Sequence, residues 1–342
     1  MILRPHCQRG FSLVELLVGS ALGLILLAAI LSIYLSAKQT YNIQDSLARM
    51  QENARLALRL ITHDARMAGY LGDVVQPWAI GESADQPLGT LANECHAGWA
   101  RSAVLPADGI PAPMLTGADN SPGLLSGCIA AGEHIQGTDI LVLYFSAANP
   151  LADSAIEQGK IYLRSSLHGG LLFKARANQS LPNDFSAMGT PSTYRLNAVA
   201  YYLRPWSTIS PGRARPDGDG IPTLMRATLS DCGASACVKS EALVEGIANL
   251  QIQYGVEETA DTGALHFLNA EQLGDFTRQP GKSAWQRVRA VRIALLARNL
   301  TAVPDYTDTN APYTMADQSI TVPAGFRHLL ITGTVALRNR GG

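Results

Sequence analysis

The hydrophobic positions of this chain follow one pattern at the amino end and another over the rest of the sequence. Residues 11–35 are almost continuously apolar, and the twenty residues Leu16–Leu35 carry no charge. A helix of this length can cross the roughly 30 Å hydrocarbon core of a bilayer. Glu15 is the one acid in the run, and a carboxylate at that depth is costly enough to indicate a function. The pattern predicts a membrane-spanning helix over residues 11–37. Its Gly19 and Gly23 form either a helix-packing G-x-x-x-G motif or simply two small residues.

The apolar pattern then changes to a helical stripe. Residues 42–68 contain neither Pro nor Gly, and their polar residues occupy the other face of a helix. Apolar side chains recur every three or four residues, at Ile43, Leu47, Met50, Ala54, Ala57, Leu58, Ile61 and Ala65. Gly69 and Gly72 are suitable points for the helix to end. We expect residues 38–72 to be the second, amphipathic half of the same helix, with the stripe buried against a globular head.

Residues 73–342 alternate short β-like runs with turn residues. The predicted strands are Asp139–Phe145, Ile161–Arg164, Leu171–Ala175, Tyr194–Leu203, Thr223–Leu229, Leu250–Tyr254, Val288–Ala297 and His328–Leu337. Leu250–Tyr254 alternates as a half-exposed strand should, and residues 201–205 and 223–229 flank a long loop as a hairpin would. Residues 76–137 have few periodic runs, so we expect long irregular insertions there. The predicted fold class is α+β: a long N-terminal helix, half transmembrane, packed on an antiparallel β-sheet head with long loops.

The junction between the basic leader and the apolar run carries a recognisable motif. Residues 10–15, Gly-Phe-Ser-Leu-Val-Glu, resemble the processing site of type IV pilins and type II secretion pseudopilins. The resemblance implies a pilin-like fold, removal of residues 1–10 by a prepilin peptidase after Gly10, and N-methylation of Phe11. It also implies that Glu15 pairs with the terminal amine of a neighbouring subunit. A plain single-pass anchor with an incidental Glu is the alternative.

Three segments of the head resemble PilW-type minor pilins and the related J-type pseudopilins. They are residues 243–247 followed by 250–255, residues 291–298, and residues 335–340. The resemblance implies a minor pilin that primes type IV pilus assembly, sits at the pilus tip, and supports twitching motility and adhesion. Its implied partners are other minor pilins, the major pilin, the prepilin peptidase and the inner-membrane assembly platform. J-type pseudopilins are generally shorter than this chain, so the resemblance favours a pilus minor pilin over a secretion-system subunit. A J-type pseudopilin remains an alternative, as does a membrane-anchored periplasmic enzyme or adhesin.

Charge predicts the orientation of the chain and gives no indication of a nucleic-acid partner, although a local basic patch stays open. Arg4 and Arg9 precede the apolar run, and basic residues keep the flanking end of a membrane helix in the cytoplasm. The head is then periplasmic, and later part of the fibre or tip. Removal of the leader leaves 25 basic against 28 acidic residues, so the net charge moves from −1 to −3. This total does not indicate a nucleic-acid-binding surface.

Four of the five cysteines lie beyond the membrane segment, whereas Cys7 lies in the leader. An even number of cysteines in an oxidising periplasm indicates disulfides. Three pairings are open, and we favour Cys95–Cys128 and Cys232–Cys237 because each pair lies within one loop region. A zinc site that uses these thiolates and His96 is the alternative, although the chain has no C-x₂-C pair.

No motif in the chain predicts an enzyme, a cofactor or a small-molecule substrate. Gly281-Lys282-Ser283 resembles the end of a phosphate-binding loop, but position 276 is Phe where that loop needs a glycine. Residues 217–220, Asp-Gly-Asp-Gly, are better explained as a tight turn than as a calcium loop. The seven histidines form no metal-binding pattern. A Ser-His-Asp set assembled by folding is left open.

Overall fold

The structure divides by internal packing into two units, Met1–Arg49 and Met50–Gly342. It is a computed structural model that describes residues 12–76, 79–88, 112–125, 127–130, 132–176, 180–182, 190–208, 218–231, 236–257, 264–274 and 284–339. The predicted boundaries of the leader, the two helix halves and the head stay predictions.

One long helix, α1, spans Leu13–Met67. Its existence confirms that the apolar run and the amphipathic segment form a single element. In the second unit its buried residues are Met50, Ala54, Ala57, Ile61, Asp64 and Ala65, which confirms the predicted stripe at five of its eight positions; Ile43, Leu47 and Leu58 are half-buried. The helix ends as predicted at Gly69, which adopts φ +79°, a conformation that favours glycine. The N–H of Gly69 then donates to the carbonyl of Tyr144 at 2.9 Å.

The described part of the head contains fourteen strands and one short helix. The strands are β1 Ile80–Glu82, β2 Leu115–Ala118, β3 Ile140–Ser146, β4 Ile161–Ser166, β5 Gly169–Lys174, β6 Ser192–Arg204, β7 Thr223–Asp231, β8 Ala236–Glu245, β9 Ile247–Glu257, β10 Leu265–Leu268, β11 Val288–Arg298, β12 Tyr313–Met315, β13 Gln318–Ile320 and β14 His328–Ala336. The short helix, α2, spans Ala270–Gly274. Single 3₁₀ turns cover Gly123–Leu125, Asp153–Ala155 and Ala284–Arg287.

The first eight strands form one sheet. Its order is β1-β5-β4-β6-β3-β2, and β7 pairs with β6 and with β8. The pairs are antiparallel except for β1 with β5. The central strand β6 has 13 residues and pairs with β4, β3 and β7 at different points along its length. The predicted hairpin around the long loop is confirmed, because Arg204 pairs with Thr223.

A second, fully antiparallel sheet has the order β10-β9-β11-β14. Ile293 of β11 pairs with Ile252 on one side and with Gly333 on the other, so the three residues share one face. A Cβ atom on Gly333 would lie 3.0 Å from Leu58 Cδ1. Helix α1 therefore passes closely over this face, where Ile252 and Ile293 are fully buried.

The opposite face of the second sheet is covered at one end by a separate hairpin. Strands β12 and β13 pair only with each other among the described residues. Met315 of this hairpin is buried against Ala294 and Leu296 of β11. The second sheet is thus held between α1 and a small hairpin, which explains why β11 is buried along most of its length.

All eight predicted strands are present, with bounds that differ by a few residues. The prediction that Leu250–Tyr254 is half exposed was wrong, because Gln251 on the polar side is 1% exposed. The Gln251 side chain donates to the carbonyl of Gly137 at 2.9 Å, so the loop before β3 covers that side of the strand. Residues 77–78, 89–111, 126 and 131 of the predicted insertions lie outside the described residues.

Candidate functional site

The predicted processing residues, Gly10 and Phe11, lie outside the described residues. The described chain begins just after them with a helix cap. The backbone N–H of Ser12 donates to Glu15 Oε2 at 3.0 Å, and the N–H of Val14 donates to Ser12 Oγ at 3.3 Å. A Ser followed three residues later by a Glu is a capping box, which satisfies N–H groups at a helix start. Glu15 therefore has a partner within its own chain.

The apolar part of α1 buries nothing within its own unit. Its large side chains are 52–74% exposed from Leu13 to Leu35. By length and composition it is one helix able to cross a membrane. Such a surface must be covered by lipid or by other apolar helices, because water would make its exposure costly. A Cβ atom added at Gly19 or at Gly23 would have no described atom within 4 Å beyond the helix backbone itself, so both positions are open to a neighbouring helix.

The other end of α1 is fixed to the head by a buried carboxylate. Asp64 is 8% exposed, and its Oδ2 accepts the hydroxyl of Tyr201 on β6 at 2.6 Å. Arg226 on β7 lies 3.8 Å from the same oxygen and donates to Glu241 on β8 at 2.6 Å. His63 Nδ1 lies 3.0 Å from Asp64 Oδ1. The group links the helix to three adjacent strands, whereas the neighbouring His63 is exposed.

A second polar group joins the two sheets. Asp139, at the start of β3, is 3% exposed. Its carboxylate accepts the N–H of Ile252 on β9 at 2.7 Å and the N–H of Asn120 at 3.0 Å. Burial raises the pKa of Asp139 to about 7. The pKa of the adjacent Asp119 is raised too, first by burial and then by the charge of Asp317. Sequence reasoning missed this pair, because nothing in the local pattern connects the two loops to β9.

The structure describes the bonding state of one of the four cysteines that we expect to form disulfides. Cys128 is disulfide-bonded. Cys95 and Cys232 lie outside the described residues, as does the side chain of Cys237. The favoured pairings, Cys95–Cys128 and Cys232–Cys237, stay predictions.

Folding brings Asp308 and His328 together, and this contact bears on the alternative that the head is an enzyme. Asp308 and His328 meet with Oδ2 and Nδ1 3.1 Å apart, and their side chains are 1% and 0% exposed. Asp308 also accepts the hydroxyl of Tyr313 at 3.0 Å. Burial lowers the pKa of His328. No solvent reaches this pair, so its evident role is to hold the loop before β14 against the β12–β13 hairpin.

The predicted turn at residues 217–220 is supported where it is described. Asp219 accepts the N–H groups of Ser207, Thr208 and Ile221 and the hydroxyls of Ser207 and Thr208, at 2.5–3.2 Å. Burial alone would raise the pKa of Asp219, but these donors outweigh it and lower the value to about 2. A carboxylate with five donors suits a turn better than a cation site. In the described part of the chain, no three His, Cys, Asp or Glu residues could hold a metal ion.

Two family models match the chain. The model of the type IV pilus-assembly protein W matches residues 213–339, which include β7 to β14. The model of the prokaryotic N-terminal methylation motif matches residues 5–31, a range that contains Gly10, Phe11, Glu15, Gly19 and Gly23. Neither a curated protein nor a solved structure matches the chain significantly.

Proposed function

The chain belongs to the PilW family of type IV pilus minor pilins, and we propose that it primes pilus assembly and occupies the pilus tip. One observation carries the proposal. The methylation-motif match runs directly into a helix whose apolar residues are exposed from Leu13 to Leu35. A surface of this kind is stable in two environments, the bilayer and the packed helices of a fibre core. The same segment can therefore hold the subunit in the inner membrane and later assemble it.

The proposed processing follows from the motif. The prepilin peptidase cuts after Gly10 and leaves Phe11 as the N-methylated terminus. Glu15 pairs with the terminal amine of a neighbouring subunit, because the two opposite charges offset part of each other's cost in an apolar medium. Gly19 and Gly23 allow a neighbouring helix to approach closely. The leader arginines, Arg4 and Arg9, keep the amino end in the cytoplasm, so the head is periplasmic.

The proposed tip position rests on the head. Its two sheets and long connecting segments would hinder repeated stacking along a shaft, whereas at the tip they offer surface for outward contacts. In this position the subunit contacts other minor pilins, the major pilin and the assembly platform, and it supports twitching motility and adhesion. The family is one of structural proteins, and the proposal requires no catalytic group.

The first test is the mass of the mature amino terminus, measured in cells with and without the prepilin peptidase. We expect a chain that begins at N-methylated Phe11 only when the peptidase is present. A chain that still begins at Met1 in both strains would contradict the proposal and favour a membrane-anchored enzyme or adhesin.

The second test separates the pilus from a secretion system. Deletion of the gene should abolish surface pili and twitching motility while exoprotein secretion continues. Loss of secretion with normal motility would instead identify a J-type pseudopilin. Immunogold labelling of the head should mark pilus ends, and labels spread along shafts would contradict the tip position.

A further inference from the structure

The exposed face of α1 in the second unit carries three arginines that have no partner among the described residues. Arg55, Arg59 and Arg66 are all exposed, and their spacing of four and seven residues places them on one side of the helix. None of the three side chains forms a hydrogen bond, ion pair or ring contact with any residue in the described ranges. We call these three residues and Leu56 the basic face.

Five other arginines of the head are engaged, whereas the exposed Arg176 and Arg338 are also unpaired among the described residues. Arg226 pairs with Glu241 at 2.6 Å, and Arg289 lies 3.3 Å from Glu257. Three more stack on aromatic rings at 3.8–4.2 Å: Arg292 on Phe267, Arg298 on Phe326 and Arg327 on Tyr306. The basic face is distinguished by the grouping of three unpaired charges on one side of one helix, on a chain whose net charge is −1.

Apolar surface lies beside these charges. Leu56 is 43% exposed and lies next to Arg55 and Arg59 on the helix. Among the described residues of the second unit, the other large hydrophobic side chains with comparable exposure are Val75, Leu167 and Leu265, and none of them is on α1. Glu52 is the one acid on this side of α1 within the second unit, so the three arginines outnumber the acids there. An exposed leucine beside several arginines has the composition of a protein interface, where arginine is enriched.

We propose that the basic face docks the acidic face of a helix from a neighbouring subunit of the same assembly. The charge selects an acidic partner, since opposite potentials steer association and like potentials prevent it. The shape of the basic face favours a helix as the partner element. A straight row of side chains along α1 fits the groove of a second helix whose axis lies 8–10 Å away. The inference rests on the proposed function, because it requires neighbouring pilin subunits.

An anionic membrane surface is the competing occupant, and the sequence disfavours it. Arg55 follows the last residue of the uncharged run, Leu35, by twenty residues. Anionic lipids attract basic residues that lie close to the membrane surface, because charge–charge attraction in physiological salt is screened over roughly 8 Å. The docking of a helix therefore explains the position of the arginines better than lipid headgroups do.

The test uses the full-length protein in detergent, co-expressed pairwise with each minor pilin and with the major pilin of the same cell. The variant is Arg55→Glu with Arg59→Glu. The control is Arg176→Glu with Arg338→Glu, which changes net charge equally at two exposed arginines of the head that form no ion pair or ring contact within the described ranges. We expect the variant to reduce co-purification of one pilin about tenfold, while the control retains it. Reversal of acids on the helix of that pilin to Lys should restore the pairing.

Three results would overturn the docking proposal. The first is that the variant co-purifies with every pilin as the wild type does, and the second is that the wild type co-purifies with none. The third is that the variant keeps its pairing with pilins and loses only its binding to vesicles that contain phosphatidylglycerol. The mass of the mature terminus distinguishes the failures, because a processed Phe11 terminus with unaffected pairing would refute the basic face and leave the proposed function intact.

Discussion

Two buried tyrosines of the head differ in the hydrogen bonding of their hydroxyl groups. The hydroxyl of Tyr201 donates to Asp64 at 2.6 Å, and burial together with that carboxylate raises the pKa of Tyr201 far enough to keep it protonated. The hydroxyl of Tyr254 has no hydrogen-bond partner in the described structure. Removal of a hydroxyl should therefore have opposite consequences at the two sites.

We predict that Tyr201→Phe lowers the free energy of unfolding by about 1–3 kcal/mol, because it leaves a buried carboxylate without its strongest donor. The control is Tyr254→Phe, for which stability should stay within about 0.5 kcal/mol or increase. Denaturant titration of the purified full-length protein, followed by tryptophan fluorescence, would compare the two. Equal losses for both variants would show that the hydroxyl of Tyr201 does not stabilise the fold.

We predict that the stability of the head depends on pH because of the pair Asp119 and Asp139. Burial raises the pKa of Asp139 from 3.8 to about 7, so between these values the folded chain binds a proton that the unfolded chain releases. The contribution of this group to stability is therefore largest at low pH and decreases as pH rises towards 7.

Asp119→Asn removes the like charge beside Asp139 and supplies an amide donor. The pKa of Asp139 should fall, and the variant should gain about 1 kcal/mol of stability at pH 8 relative to the wild type. Thermal unfolding at pH 5 and pH 8 would measure this. Asp85→Asn is the control, since Asp85 is exposed. A variant whose stability falls with pH as steeply as that of the wild type would contradict the interpretation.

At the scale of elements, the end of α1 depends on a close approach of the carboxy-terminal segment. Asn339 Nδ2 donates to the carbonyls of Met67 and Ala68 at 3.3 and 3.4 Å. A Cβ atom on Gly69 would lie 2.4 Å from the carbonyl oxygen of Asn339. Gly69 therefore supplies both a positive φ and the space in which the two segments meet.

We predict that Gly69→Ala destabilises the head by more than about 2 kcal/mol, since strain at positive φ alone costs roughly 1–2 kcal/mol. Gly132→Ala is the matched control, because Gly132 has φ +83° and no described atom near its Cβ position. The difference between the two unfolding midpoints isolates the steric contact. Equal midpoints would show that residues 67–69 and Asn339 move apart at little cost.

The elements that sequence could predict are those whose signal is local. Eight strands were predictable because apolar and β-branched residues run along buried segments. Strand β8 was not, because it pairs only with β7 among the described strands and its charged residues, Lys239, Glu241 and Glu245, disrupt the apolar alternation. Strands β1, β2, β10, β12 and β13 have three or four residues, too few to show a period.

The polar contacts that join these elements could not be predicted. Tyr201 is 137 residues from Asp64, and Ile252 is 113 residues from Asp139. Contacts of this range depend on sheet register, which no local pattern specifies. The amino-terminal motif could be recognised for the opposite reason, because its residues are contiguous, and the methylation-motif model matches the same segment, residues 5–31.

At the scale of the whole molecule, one residue serves both the subunit and the proposed assembly. Glu15 caps α1 through the N–H of Ser12, and this contact needs an acceptor oxygen but no charge. The proposed pairing with the terminal amine of a neighbour needs the negative charge, because only an opposite charge offsets the cost of an ammonium group in an apolar medium. A substitution that keeps the oxygen and removes the charge therefore separates the two roles.

We predict that Glu15→Gln leaves α1 capped and the protein present in the inner membrane at wild-type amounts, while its amount in sheared pili falls at least about tenfold. Glutamine can accept the Ser12 N–H as glutamate does, so membrane insertion and peptidase cleavage should persist. Quantitative immunoblots of membrane and sheared fractions would measure both amounts, with Ser12→Ala as the variant that weakens the cap and keeps the charge. If the glutamine variant entered pili like the wild type while Ser12→Ala did not, Glu15 would act through the helix cap rather than through a charge between subunits.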